Sequence, residues 1–234
     1  MNRLFKCFCG ALFIIAVSLF FSSCSRKGDD PVDSPQIDAV DLGLSVKWAT
    51  CNIGATSPTD YGYYFAWGET EAKSTYSWET YKFRTSGNQK NNVKFSKYNT
   101  QSSYGTVDNK TVLDPEDDVA HVNLGGKWRM PTDAEWTELR EQCTWTDNYK
   151  GMGVAGRIVT SKKTGYTDKS IFLPAAGYRN GADLYSAGSL GYYWSSSLYS
   201  GYPRRARDVG FNSGDVDIRS DFRYNGFSVR PVLE

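Results

Sequence analysis

"LGGKWRMPTDAEWTEL", residues Leu124–Leu139, is the stretch that sets the fold class. Thr132 is followed three residues later by Glu135, the spacing of a capping box, in which each side chain accepts a hydrogen bond from the other residue's backbone N–H. Pro131 stands just before, and Asp133 falls in the first turn, where a negative charge suits the helix dipole. Trp136, Leu139 and Cys143 then share one face at i, i+3 and i+7. The spacing predicts a helix over residues 133–142 with Trp136 turned into a core.

Beyond that helix the period changes. "GRIVTSK", "SIFLPAAGY", "GYYWSSS", "RDVGF" and "GFSVRPV" are short runs rich in β-branched and aromatic residues, separated by "KTGYTDK", "RNGAD" and "NSGD". They read as strands joined by turns. Upstream, "VDLGLSVKWATCNIG" (residues 40–54) reads as a strand or hairpin. Residues 84–112 are polar and read as a long surface excursion with short strands at most. One or two helices followed by a set of short strands make an α+β domain. The last strand, "GFSVRPV", is expected to place Phe227 and Val229 on one face and Ser228 and Arg230 on the other, and to pair with the first. Trp128, Trp136, Trp194, Phe227 and Arg230 are the expected scaffold residues.

The N-terminus reads as a processing signal. Arg3 and Lys6 precede the apolar run "GALFIIAVSLFF", which is too short to span a bilayer and suits a secretory h-region. It ends in "FSSC", which resembles the lipobox of bacterial lipoproteins and makes Cys24 the lipidated mature residue. The expected organisation is a signal peptide over residues 1–23, a flexible tether over 24–39 and one domain over 40–234. The acidic residues of the tether loosely match the surface-export signal of such lipoproteins, which places the domain at the outer membrane, on the cell surface. Losing Arg3 and Lys6 leaves 25 basic against 26 acidic residues. That balance gives no case for nucleic-acid binding. Cys51 and Cys143 are the two thiols left in the domain. Two cysteines in an exported domain point to one disulfide between them, as against two buried free thiols.

Catalytic signatures are thin. His121 is the chain's one histidine, so no histidine-rich metal cluster forms, and no strained serine elbow accompanies it. It reads as structural. "DPEDD", Asp114 to Asp118, has oxygen ligands of the kind calcium takes but lacks the spacing of an EF-hand loop, and reads as a solvated turn. No metal, cofactor or catalytic residue is assigned.

The last quarter uses a different charged alphabet. Between Lys169 and Glu234 there is no Lys, Glu, Gln or Met. Tyr199, Tyr202 and Tyr224 offer flat amphipathic area, and Arg204, Arg205, Arg207, Arg219 and Arg223 offer planar forks. Asp208, Asp215, Asp217 and Asp221 alternate with them. These twelve residues are the expected ligand-contact set, as against a solvated face with rim salt bridges.

Several motifs carry a family resemblance. "WRMPTDAEWTEL" resembles a segment of the formylglycine-generating-enzyme superfamily, and "NGFSVRPV" resembles its closing strand. "VDLGLSVKWATCNIGATSPTDYGYYFAWGET", "FLPAAGYRNG" and "GYYWSSS" resemble the bacterial lipoprotein branch called the major paralogous domain, FISUMP. The resemblance covers nearly all of residues 40–234 and implies a C-type-lectin-like fold with short strands and long loops. The superfamily's oxidising enzymes hold copper on a cysteine pair near the C-terminus. This chain has no cysteine after Cys143, so that activity is not expected. Some proteins of this type are diversified by retroelements, whose randomised codons cannot encode Lys, Glu, Gln, Met or Trp. Residues 198–224 contain only residues that such codons encode. The expectation is a lipid-anchored surface protein that binds a protein or glycan. The alternative is a structural or fimbria-associated lipoprotein, and a divergent hydrolase ranks below both.

Overall fold

The computed structural model describes residues 37–88, 92–148 and 153–234, all within one compact unit, Ser34–Glu234. Cys24, the signal segment and most of the tether lie outside the described residues. In chain order the elements begin with β1 (Ala39–Val40), β2 (Lys47–Ala49), β3 (Arg84–Ser86) and β4 (Lys94–Phe95). Then come α1 (Val119–Leu124), β5 (Trp128–Arg129), α2 (Asp133–Gln142), β6 (Cys143–Asp147), β7 (Gly156–Ser161) and β8 (Ser170–Pro174). A hairpin of β9 (Tyr178–Asn180) and β10 (Asp183–Tyr185) leads to β11 (Gly191–Leu198), β12 (Arg205–Phe211), β13 (Val216–Phe222) and β14 (Val232–Leu233). Small antiparallel sheets with two short helices make a mostly-β α+β architecture. Among the described residues no helix is long and apolar enough to cross a membrane.

Helix α2 occupies the span its sequence predicts. Thr132 Oγ1 accepts from Glu135 N at 3.2 Å, and Glu135 Oε2 accepts from Thr132 N at 2.7 Å. Trp136 and Leu139 are fully buried, and the Trp136 ring lies 4.6 Å from Trp48 and 5.9 Å from Tyr193. The helix therefore joins the β1-β2-β14-β5 sheet to the β11-β12-β13 sheet. Strand β14 pairs with β2 on one side and β5 on the other, which joins the two ends of the described domain.

Residues 226–231 do not form the expected two-faced strand. Only β14 is regular, and the segment before it is threaded through the interior by isolated pairings of Gly226 with Arg179, Phe227 with Phe65 and Ser228 with Tyr193. Phe227, Ser228, Val229 and Arg230 are all fully buried, so neither face is a surface. Phe227 stacks on Trp194 at 4.2 Å. Arg230 spends its guanidinium on Asn52 Oδ1 and on the carbonyls of Ala49, Thr50 and Phe172, at 2.6–2.9 Å. Trp128, expected in the core with these, is only half-buried.

Two further expectations are corrected. Residues 84–112 are not merely a surface excursion: Val93, Phe95, Tyr98 and Asn99 are buried. Tyr98 takes a positive φ of 59°, and Asp108 holds the turn by accepting from the backbone N–H groups of Tyr98 and Asn99. Cys51 and Cys143 are free and buried, not bridged. Cys143 packs with Trp136 and Leu139, where burial pushes its thiol pKa up to about 11, whereas Cys51 adjoins Arg230.

Replacing Arg230 by Lys removes the planar fork that reaches four acceptors on two segments, residues 49–52 and β8. Urea unfolding is expected to show a loss on the order of 3 kcal/mol, with little change in the slope.

Candidate ligand-binding face

Antiparallel pairing sets which C-terminal residues meet. Trp194, Asp208 and Arg219 are in register across β11, β12 and β13, as are Tyr193, Val209 and Ile218 one position on. Alternation then sends Tyr193, Val209 and Phe211 toward the α2 core and Tyr192, Asp208, Arg219 and Asp221 to the opposite face.

The twelve expected contact residues divide. Arg204, Asp208 and Arg223 are buried, at 3 %, 1 % and 0 % exposure, and are withdrawn from the contact set. Arg223 is a structural pillar. Its Nε donates to Tyr81 Oη at 2.8 Å, and its Nη atoms donate to the carbonyls of Tyr98, Pro203 and Lys97. Phe95 and Trp67 lie against its guanidinium at 4.5 and 4.9 Å. Nothing in "FRYNGF" separates this arginine from its neighbours; burial does.

Most of the other forks are also engaged within the chain. Arg204 lies 4.2 Å from the Tyr202 ring, Arg207 4.6 Å from Tyr199, Arg205 4.9 Å from Phe222 and Arg219 4.7 Å from Tyr192. Arg207 also faces Asp133 at 3.5 Å, and Arg205 donates to the Ser220 carbonyl. Asp215 sits in the β12–β13 turn and Asp217 faces Arg140, both apart from the pocket described next.

That pocket, of about 300 Å³, is lined by Tyr178, Asn180, Tyr192, Asp221, Phe222, Tyr224 and Asn225. Asp221 and Tyr224 were expected. Tyr178 and Asn180 come from the β9 hairpin and Asn225 from the turn after β13, positions that composition does not mark. The available signal was the pair of Asn-Gly turns in "YRNG" and "RYNG". Asn180 Nδ2 donates to Asn225 Oδ1 at 2.9 Å, and Asn225 Nδ2 donates to Asp221 Oδ1 at 2.8 Å. Tyr178 and Tyr192 meet edge to face at 5.1 Å, and Phe222 and Tyr224 stack at 5.7 Å. Exposed Tyr185 extends this wall by stacking on Tyr178. Burial raises the pKa of Tyr178 and Tyr224, so both keep their phenolic protons at neutral pH.

Asp208 lies behind this face. Both carboxylate oxygens are buried without a hydrogen-bond partner, and the nearest cation, Arg219, holds its Nε 3.9 Å away. Desolvation drives the Asp208 pKa well above the ordinary carboxyl value, with Arg219 opposing and Asp221 adding to the rise.

The other candidate centres hold themselves. Lys97 Nζ lies 2.7, 3.0 and 2.5 Å from Asp114, Glu116 and Asp117, so an ammonium sits where the "DPEDD" run would hold a cation. Burial works against that ammonium, but the three carboxylates outweigh it and raise the Lys97 pKa. Lys82 and Tyr98 also bind Asp117. Asp118 caps α1 and accepts from the backbone of Ala120, His121 and Met130. His121 Nδ1 faces the Trp128 carbonyl at 3.3 Å.

The raised Asp208 pKa has a signed consequence. The folded state holds this proton more tightly than the unfolded chain. Between the ordinary carboxyl pKa, about 4, and the raised value, stability therefore falls as pH rises. Asp208→Asn removes that fall. Its stability relative to the parent is expected to be lowest below about pH 4 and to improve as pH rises. Urea unfolding at a series of pH values checks this, and a difference independent of pH counts against it.

A family model described as a domain of unknown function (DUF8237) matches residues 160–232. No curated protein and no solved structure matches the chain. The matched stretch runs from β7 to β14 and carries every residue that lines the pocket.

Proposed function

We propose that this chain is an exported, lipid-anchored recognition protein, with the lipid on Cys24 and a C-type-lectin-like domain that binds a protein or glycan ligand at the face around Asp221 and Tyr224. The observation that carries this reading is the pocket, where aromatic walls meet a connected set of amides and a carboxylate. The lectin-like assignment draws support from the order of the resembling motifs and from β14, whose pairing with β2 and β5 joins the two ends of the domain. Recognition is favoured over catalysis by the lining itself, which is phenols, amides and one carboxylate, with Asp208 too deeply buried to touch a ligand.

The test is a set of glycan and peptide probes applied to the purified mature chain and, in parallel, to intact cells. Tyr224→Ala with Asp221→Asn is expected to weaken any captured probe about tenfold or more, and Asp215→Asn to leave it unchanged. Capture that survives the double variant removes the pocket from the reading. Capture by the purified chain but not by cells removes the surface placement.

Retroelement diversification is part of the same proposal, and burial says where it is tolerated. Sequencing the gene across isolates is expected to place substitutions at exposed and half-exposed positions such as 199, 202, 205, 207, 219 and 221, and to spare Ala206, Val209 and Arg223. Uniform constancy across residues 198–224 replaces a diversified receptor with a fixed one.

A further inference from the structure

We infer that the pocket takes a cationic group, a guanidinium or ammonium, seated against Asp221 and the tyrosine faces. The inference rests on the recognition reading above and names the chemistry of what is recognised.

The hydrogen-bond relay fixes which atoms remain open. Asp221 Oδ1 accepts, so Asn225 must turn its NH2 toward it and its oxygen toward Asn180. Asn180 must then present its own NH2 to Asn225. The Tyr224 hydroxyl is also hydrogen-bonded to the Asn180 amide, so the acceptor that the relay leaves open is Asp221 Oδ2. The closest cation to Asp221 Oδ2 is Arg219 Nη2 at 3.8 Å, beyond hydrogen-bond range. The rings of Tyr178 and Tyr224 line the same pocket and attract positive charge, while the Tyr192 ring already carries Arg219. A donor-rich cation matches this set, and an anion or a purely acceptor ligand does not.

The second observation is independent of the relay. Asp208 lies on the same sheet face, fully buried, with both oxygens unpartnered. Arg219 stands between two carboxylates, 3.9 Å from Asp208 and 3.8 Å from Asp221, and hydrogen-bonds to neither. Gly210 makes this position possible, since a Cβ there would lie 2.8 Å from Arg219 Nη1. Two acids thus share one guanidinium at arm's length. A ligand cation docked on Asp221 repels Arg219 toward Asp208, whose proton is released to solvent as the second ion pair forms. The ligand thus supplies a cation to Asp221 and frees Arg219 to pair with Asp208.

The probes are Nα-acetyl-arginine methylamide, Nα-acetyl-lysine methylamide and tetramethylammonium. The neutral isostere Nα-acetyl-citrulline methylamide and a methyl glycoside serve as controls. Each is titrated into the purified mature chain and followed by NMR shifts. Saturable binding of at least one cation is expected, with the citrulline compound weaker by about tenfold or more. The three cations separate a guanidinium, a primary ammonium and a quaternary ammonium source. Asp221→Asn keeps the Oδ1 acceptor, and with it the relay, and is expected to abolish the preference for charge. Asp208→Asn touches no ligand and is expected to weaken cation binding severalfold without altering glycoside binding. Equal binding of citrulline and arginine, an undiminished preference in Asp221→Asn, or no saturation by any cation overturns the inference. If the glycoside saturates and Tyr224→Ala abolishes it, the recognition reading stands and the cationic ligand falls. If no probe binds and Tyr224→Ala leaves captured probes unchanged, both fall.

Discussion

A guanidinium buried without a carboxylate organises this molecule. Arg230 is fully enclosed, and burial pulls its pKa down, yet an arginine stays charged in proteins. The cost of that burial is offset by carbonyl and amide oxygens drawn from the end of β2, the residues after it and β8. Arg223 repeats the solution seven residues earlier with Tyr81 and the carbonyls of Lys97, Tyr98 and Pro203. These donors take up the carbonyls of Thr50, Lys97, Tyr98 and Pro203, which lie outside the strands, as well as those of Ala49 and Phe172 within β2 and β8. Irregular chain can therefore be packed inside a domain of short strands.

The face follows from this arrangement. Arg223 and Arg230 bracket the threaded segment, and Phe227 between them stacks on Trp194 of β11. That fixes the first strand of the three-stranded sheet, and α2 covers one of its sides through Trp136 and Tyr193. The other side carries Tyr192, Arg219 and Asp221, and the β9 hairpin stands beside it because Arg179 pairs with Gly226 of the same thread. Every wall of the pocket is thus tied to the threaded segment, though none of the threaded side chains is exposed there.

How far the sequence reveals this depends on the range of each signal. Helix α2 is legible because its cap, its dipole complement and its apolar stripe lie within about a dozen residues and agree. Strands β7, β8, β11 and β12 are legible from short apolar runs between turns. The burial of Tyr98 is not legible, since its partners Asp114, Asp117 and Arg223 lie up to 125 residues away and its neighbours are polar. The same holds for Arg223 against Arg219: both are arginines in a Tyr- and Asp-rich run, and only the tertiary position of the aromatic residues around 67–98 makes one a pillar. The pocket was half legible. Composition pointed to Asp221 and Tyr224, while the amides that connect to them sit in turns whose meeting is a matter of topology.

The alphabet of the last quarter gains a second meaning from the stacking pairs. Arg205 on Phe222, Arg207 on Tyr199 and Arg219 on Tyr192 hold the face together with contacts that need no Lys, Glu or Gln. A planar cation on an aromatic ring tolerates shifts in geometry better than a directional hydrogen bond, and its strength at a partly exposed site is only about 0.5–1 kcal/mol. Losing one such pair leaves the sheet folded, because Arg223, Arg230 and the Trp194–Phe227 stack lie behind it. Stability and surface chemistry are therefore carried by different residues within one short segment. That separation lets the same strands hold a packed core on one side and an exposed or half-exposed set of Tyr, Arg and Asp on the other.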